Sequence, residues 1–192
     1  MSKDRLEAFS DGVIAIIITV MVLELGVPRG ADLEALRHLL PVLLTYVLSF
    51  VFLAIYWNNH HHMLQATHRI NGTILWANMH LLFWLSLVPF VTGWMGENHF
   101  APLPTAIYGV VLLAAAIAYT ILQAQIIRHQ GPGSKLAAAV GGNVKGKISL
   151  ALYVLAIPLA FLNRWIADAI YVAVALIWLV PDRRIESTLN RD

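Results

Sequence analysis

The sequence predicts an all-α integral membrane protein, and three observations carry this. Hydrophobic residues make up 59% of the 192-residue chain and charged residues only 12%, about half the roughly 25% typical of a soluble domain. So few charges cannot cover a water-facing surface. The mean hydropathy is +0.70. The apolar residues also fall in long runs near the ~20 residues needed to cross a hydrocarbon core, without the ten-residue alternation of a transmembrane barrel strand.

Six helices are expected, at about 6–27, 38–58, 72–95, 103–128, 147–162 and 165–181, in one domain over 1–192. The first ends at Gly26 and Pro28; no small-x-small cleavage site accompanies it, so it reads as a retained helix and not a signal peptide. A short polar loop, 29–37, leads to the second, and the histidine-rich stretch 60–72 separates the second from the third. Gly96, Pro102 and Pro104 mark the turn before the fourth. The longest connection, 129–147, is rich in Gly with scattered Lys and Ser, and mobility is expected there. The fifth and sixth runs are short and separated only by Asn163 and Arg164. They are expected to form a tight hairpin that tilts, thins the bilayer locally or is shielded by other helices.

Side chains along these runs carry further expectations. Trp57, Trp76, Trp94, Trp165 and Trp178 fall near helix ends and read as interfacial anchors. Asn78 and His80 are polar at membrane depth and are expected to point inward. Ala114, Ala115 and Ala116 let a neighbouring helix approach closely.

Orientation follows from Lys and Arg, which concentrate on the cytoplasmic side. With the amino terminus inside, Lys3, Arg5, Arg69, Arg128, Lys135, Lys145, Lys147, Arg183, Arg184 and Arg191 lie inside, against Arg29, Arg37 and Arg164 outside. Both termini are therefore expected in the cytoplasm. Glu24, Asp32, Glu34, Glu97 and Asp168 fall at the outer ends; such a negative rim raises local cation concentration at a pore mouth, although loops that merely solvate helix ends would look the same.

Composition excludes several functions. There is no cysteine, so disulfides, thiolate metal sites and cysteine nucleophiles are ruled out. The isoelectric point is near 9.0, but net charge is only +2 and no basic block exists, so no nucleic-acid partner is expected. Gly141 to Lys147 nearly spells a phosphate-binding loop, but Ile148 stands where Ser or Thr should follow and no strand precedes it. An enzyme would need convergent titratable groups at one depth. Only the region of Asp11 and the histidines qualifies, and it has no nucleophile, so neither catalysis nor a cofactor is expected.

Asp11 lies at the cytoplasmic boundary of the first helix, where a carboxylate needs a partner. Arg5, six residues away, is about 240° round a helix and cannot pair with it directly. The end of the second helix offers Asn58, Asn59, His60, His61 and His62, with Asn58, His60 and His61 the candidate partners. The competing reading has Ser10 and Asp11 capping the helix start. Three consecutive histidines diverge by about 100° each and cannot all grip one ion while the helix continues, so no metal site is expected.

The series Arg5-x-x-x-Phe9-Ser10-Asp11, followed by Gly12-Val13-x-Ala15-Ile16, Thr19 and Leu23-Glu24-Leu25, resembles the signature of the transmembrane protein 175 potassium channels. Ser49-Phe50 through Tyr56-Trp57 and the following histidines resemble that family's second helix. Leu81 through Ser86-Leu87-Val88-Pro89-Phe90 to Gly96-Glu97 resembles its third. One signature is present, as in short prokaryotic members. The resemblance implies a homotetramer in the bacterial plasma membrane, with a central pore lined by the first helix and potassium as the permeant ion. It also implies a structural network built on Arg5, Phe9, Ser10 and Asp11.

The same resemblance puts the hydrophobic constriction at Ile16, with Thr19, Val20 and Leu23 beyond it. These spacings of 3, 4 and 7 share one helical face, with Asp11 about 220° away. The helix is apolar almost all round, so periodicity alone does not choose this face. No Thr-Val-Gly-Tyr-Gly segment occurs, so a carbonyl filter on that pattern is not available. An isoleucine ring would block ions by dewetting when closed. Thr19 would supply hydroxyl oxygens, unless its hydroxyl simply bonds back to the Ala15 carbonyl. The alternative function is a proton-coupled transporter using Asp11 and the histidines as a relay, although such proteins usually carry broken helices with charges at the midplane.

Overall fold

The structure, a computed structural model, describes residues 2–28, 30–67, 69–141 and 143–179. Arg29, Gly142, Arg183, Arg184, Arg191 and the last two positions of the sixth expected helix lie outside the described residues. The described residues form α1 (Lys3–Leu23), α2 (Leu33–His38), α3 (Leu40–Gln65), α4 (Gly72–Ser86), α5 (Val88–Glu97), α6 (Pro102–Gln130), α7 (Lys135–Val140), α8 (Val144–Leu162) and α9 (Arg164–Leu179). No strand occurs among them. Five spans are long and apolar enough to cross a membrane: α1, α3, α4 with α5, α6, and α8. Helix α9 is described for 16 residues.

Element boundaries differ from the sequence reading for local reasons. Helix α1 starts at Lys3, because the Ser2 side chain caps it by accepting from the Arg5 backbone N–H at 3.4 Å. It stops at Leu23, where Gly26 turns the chain with φ +64° and Pro28 follows. The 29–37 loop contains α2, capped by the Asp32 carboxylate on Ala35 N at 2.9 Å. Helix α3 continues to Gln65, well past 58, so all three histidines are helical. The span 72–95 is two helices that break at Leu87. Pro89 lacks an N–H and its ring crowds the carbonyl four residues back. The connection 129–147 is not a free linker: it holds α7, whose Leu136 is buried in the core.

Helix α6 is the hub, packing against α4, α5, α8 and α9, while α8 packs on α9. Its inward face carries Leu112, Ala115, Ala118, Leu122 and Ile126; the two alanines permit close helix approach. Two glycines mark tighter crossings. A Cβ on Gly109 would collide with the Tyr171 hydroxyl, and one on Gly96 would fall 2.6 Å from Thr45 Oγ1 and 2.7 Å from Val42 Cα. One set of buried hydroxyls is paired across helices: that of Ser49 lies 2.6 Å from that of Thr92 and 2.9 Å from that of Tyr108. The Tyr171 hydroxyl donates to the Thr105 carbonyl at 3.0 Å. Helix α1 lies at the edge, against α3, α4 and α5.

Candidate functional site

That edge position gives α1 two unlike faces. Leu6, Ser10, Ile14, Ile17 and Met21 are buried, and their spacing of three or four residues makes one stripe facing the bundle. Ile16, Val20 and Leu23 are 62%, 41% and 76% exposed, and Thr19 is exposed beside them. On a regular helix these four centre about 130° from the buried stripe. The protomer therefore leaves an apolar stripe with one hydroxyl uncovered. The Thr19 hydroxyl donates to the Ile16 carbonyl at 2.8 Å, one residue further along than Ala15. Its proton is thus committed to the backbone while its lone pairs stay free.

At the amino-terminal half, α1 is tied to α3 and α4 by a buried chain of hydrogen bonds. Ser10 Oγ donates to the Leu6 carbonyl at 2.8 Å and accepts from Asn78 Nδ2 at 2.9 Å. Asn78 Oδ1 lies 2.7 Å from His60 Nε2. A carbonyl oxygen can only accept, so His60 donates from Nε2. Ser10, Asn78 and His60 are all buried. Three helices are cross-linked by groups that would otherwise be desolvated without partners.

Asp11 has a different partner from those the sequence offered. Trp57 Nε1 donates to its Oδ1 at 3.0 Å. Asn58 is exposed, Asn59 donates to the Ile55 carbonyl of its own helix, and His60 bonds Asn78. His61 Nδ1 lies 3.0 Å from Glu7 Oε1 on α1 and also stacks on Trp57. The continuing helix explains this. Trp57, His60 and His61 lie at spacings of three and four, so all face α1 and α4.

The capping reading of Ser10 and Asp11 fails because Ser2 is the cap and both residues lie two turns inside α1. Arg5 and Phe9 are exposed; among the described residues the Arg5 guanidinium has no hydrogen bond or ion pair. Of the four signature residues, the protomer joins Ser10 and Asp11 to its network and leaves Arg5 and Phe9 outside it. His60 bonds Asn78 and His61 meets Glu7, whereas the His62 ring lies 5.7 Å from that of His61; among the described residues no three metal-binding side chains converge.

Other expectations are corrected. His80 points outward and accepts from Trp84 Nε1 at 2.9 Å within its own helix. Trp178 is not a free anchor, since its Nε1 donates to Ser149 Oγ at 2.9 Å. Glu24, Asp32, Glu34 and Glu97 are exposed. Asp168 is half-buried, and its carboxylate oxygens are shielded without a hydrogen-bond partner among the described residues, so it does not join an open rim.

Comparison with known proteins gives a consistent result. Residues 5–89 match the family described as Endosomal/lysosomal potassium channel TMEM175. A potassium channel of Chryseobacterium sp. (strain P1-3) is 55% identical over 192 residues, covering 100% of both chains. The Danio rerio endosomal/lysosomal proton channel TMEM175 is 29% identical over 134 residues, 67% of this chain and 25% of that protein. The crystal structure of a lysosomal potassium-selective channel TMEM175 homolog from Chamaesiphon minutus matches with a TM-score of 0.80 and 28% identity, covering 94% of this chain and 97% of that one. With its apolar spans, the stretch from Arg5 to Pro89 and this likeness along the whole chain, this multi-pass membrane protein belongs to the TMEM175 family of ion channels.

Proposed function

We propose that this chain is a potassium-selective cation channel of the bacterial plasma membrane, conducting passively through a central pore made by four copies. Helix α9 serves as the sixth span and both termini face the cytoplasm. The exposed stripe Ile16, Thr19, Val20 and Leu23, turned away from the residues that α1 buries against the bundle, carries this reading. An apolar stripe can face lipid, but Thr19 within it gains nothing from lipid and gains a cation partner at a pore. The names of the bacterial relatives support potassium as the ion.

In this mechanism Ile16 side chains meet on the shared axis and form a narrow apolar ring. With the ring closed, water leaves and ions meet a dielectric barrier. A small widening admits a partly dehydrated cation, and potassium sheds water more readily than sodium. Thr19 adds oxygen lone pairs next to the ring, oriented outward because each hydroxyl proton is held by the Ile16 carbonyl. Asp11 faces Trp57 and braces the helix from behind without touching the ion.

The transporter reading has less support. The bond to Asp11 comes from Trp57 and that of His60 goes to Asn78, so the two do not form one relay, and α1 is unbroken from Lys3 to Leu23. Purified protein in planar bilayers tests the proposal. Ohmic currents that reverse at the potassium equilibrium potential are expected. Transport that saturates and requires a proton gradient would overturn it.

A further inference from the structure

Between α3, α6, α8 and α9 lies a cavity of about 50 Å³, partly open to the outside of the bundle. No residue of α1 lines it, so it is separate from the stripe described above. At about 10–15 Å³ per water it has room for about three to five waters, or about 90–150 Å³ of displaced liquid. That is the bulk of one six-membered ring with a small substituent.

The walls define the chemistry of a guest. None of the lining residues is charged, so an ion would find no counter-charge and the guest must be neutral. Phe52, Tyr56, Tyr119 and Tyr153 all contribute rings, and two pairs of them lie 6.1 and 6.4 Å apart centre to centre. Such walls favour another aromatic ring over an aliphatic chain.

The polar groups narrow it further. Tyr119 donates to the Asn59 carbonyl at 3.4 Å, and Trp178 is satisfied by Ser149. The hydroxyls of Tyr56 and Tyr153 make no hydrogen bond among the described residues, and neither oxygen is sealed off as a buried atom without a partner. A lining hydroxyl with no protein partner keeps both its donor and its acceptor capacity for a guest.

We propose that this cavity is a binding site for a neutral single-ring aromatic alcohol of the phenol class, its ring among the aromatic side chains that line it and its hydroxyl bonded to Tyr153. The site stands on the cavity alone and does not depend on what the protein conducts.

The test is a fluorine NMR titration of 4-fluorophenol into the full-length protein in detergent. Wild type should show saturable binding, one molecule per chain, displaced by unlabelled phenol. Ala116→Phe, which fills the cavity from α6, should abolish it. Ile117→Phe on the adjacent exposed position should retain it. Tyr153→Phe, which keeps the ring, should weaken binding about 2- to 12-fold, the worth of one hydrogen bond. If Ala116→Phe does not fold, the Tyr153→Phe comparison decides. Signals that only track detergent partitioning, or saturable binding unchanged in Ala116→Phe or in Tyr153→Phe, would overturn the proposal.

Discussion

The indole N–H of Trp57 on α3 donates to the carboxylate of Asp11 on α1 at 3.0 Å. This contact and the Ser10–Asn78–His60 chain hold α1 to the bundle by its amino-terminal half, with the Ile16 stripe turned the other way. Double replacement by Trp57→Phe and Asp11→Ala should therefore show coupling. A coupling of about 0.5–2 kcal/mol is expected, given an exposed charge-assisted bond in a membrane protein. A double-mutant cycle of unfolding in mixed detergent measures it, and strictly additive effects would show that the contact is idle.

Asn78 joins two partners at once, so its loss should exceed that of an ordinary polar residue. Asn78→Leu strands the buried Nε2 donor of His60, at about 1–3 kcal/mol, and removes one of the two hydrogen bonds of Ser10, which keeps its bond to the Leu6 carbonyl. His80→Leu on the same helix loses only an exposed bond to Trp84 and should change stability by less than about 0.5 kcal/mol. Detergent unfolding of the two variants side by side gives the comparison.

Gly96 sets the closest approach of α5 to α3. An added methyl would meet Val42 Cα at 2.7 Å, and backbone cannot yield as a flexible side chain does. Gly96→Ala should cost about 1–3 kcal/mol by overpacking. Gly12→Ala, where nothing lies within 4 Å, should fold as well as wild type; thermal unfolding followed by tryptophan fluorescence distinguishes them.

Thr19 separates a hydroxyl contribution from mere packing. Thr19→Val keeps the shape and removes the oxygen. Reversal potentials under mixed potassium and sodium should fall toward zero in Thr19→Val with the protein still assembled. An unchanged reversal potential would mean that the hydroxyl serves only its bond to the Ile16 carbonyl.

The helical class and the apolar spans were legible because composition and run length dominate in membrane proteins. The break at Leu87 was legible only in retrospect from Pro89: the apolar run continues unbroken across it, and hydropathy does not register a missing N–H. The partner of Asp11 was hidden by a boundary. Ending the second helix at 58 made the histidines a loop and Trp57 a lipid anchor. Extending α3 to Gln65 aligns Trp57, His60 and His61 toward the neighbouring helices. The α1 faces were not readable from periodicity, because both Ile14 and Ile16 are apolar; tertiary packing buries the first and leaves the second uncovered. Asn78 as a hub was half legible, since a polar residue at membrane depth must find partners, but nothing in the sequence named Ser10 and His60 together.

The most direct test is a bilayer recording with potassium on one side and sodium on the other, comparing wild type with Ile16→Asn. If isoleucines from several copies form the sieve, wild type reverses near the potassium equilibrium potential. Ile16→Asn, with its wetted ring, then passes larger currents that reverse nearer zero. Identical conductance and reversal potential in the two proteins would contradict a pore built on that face of α1.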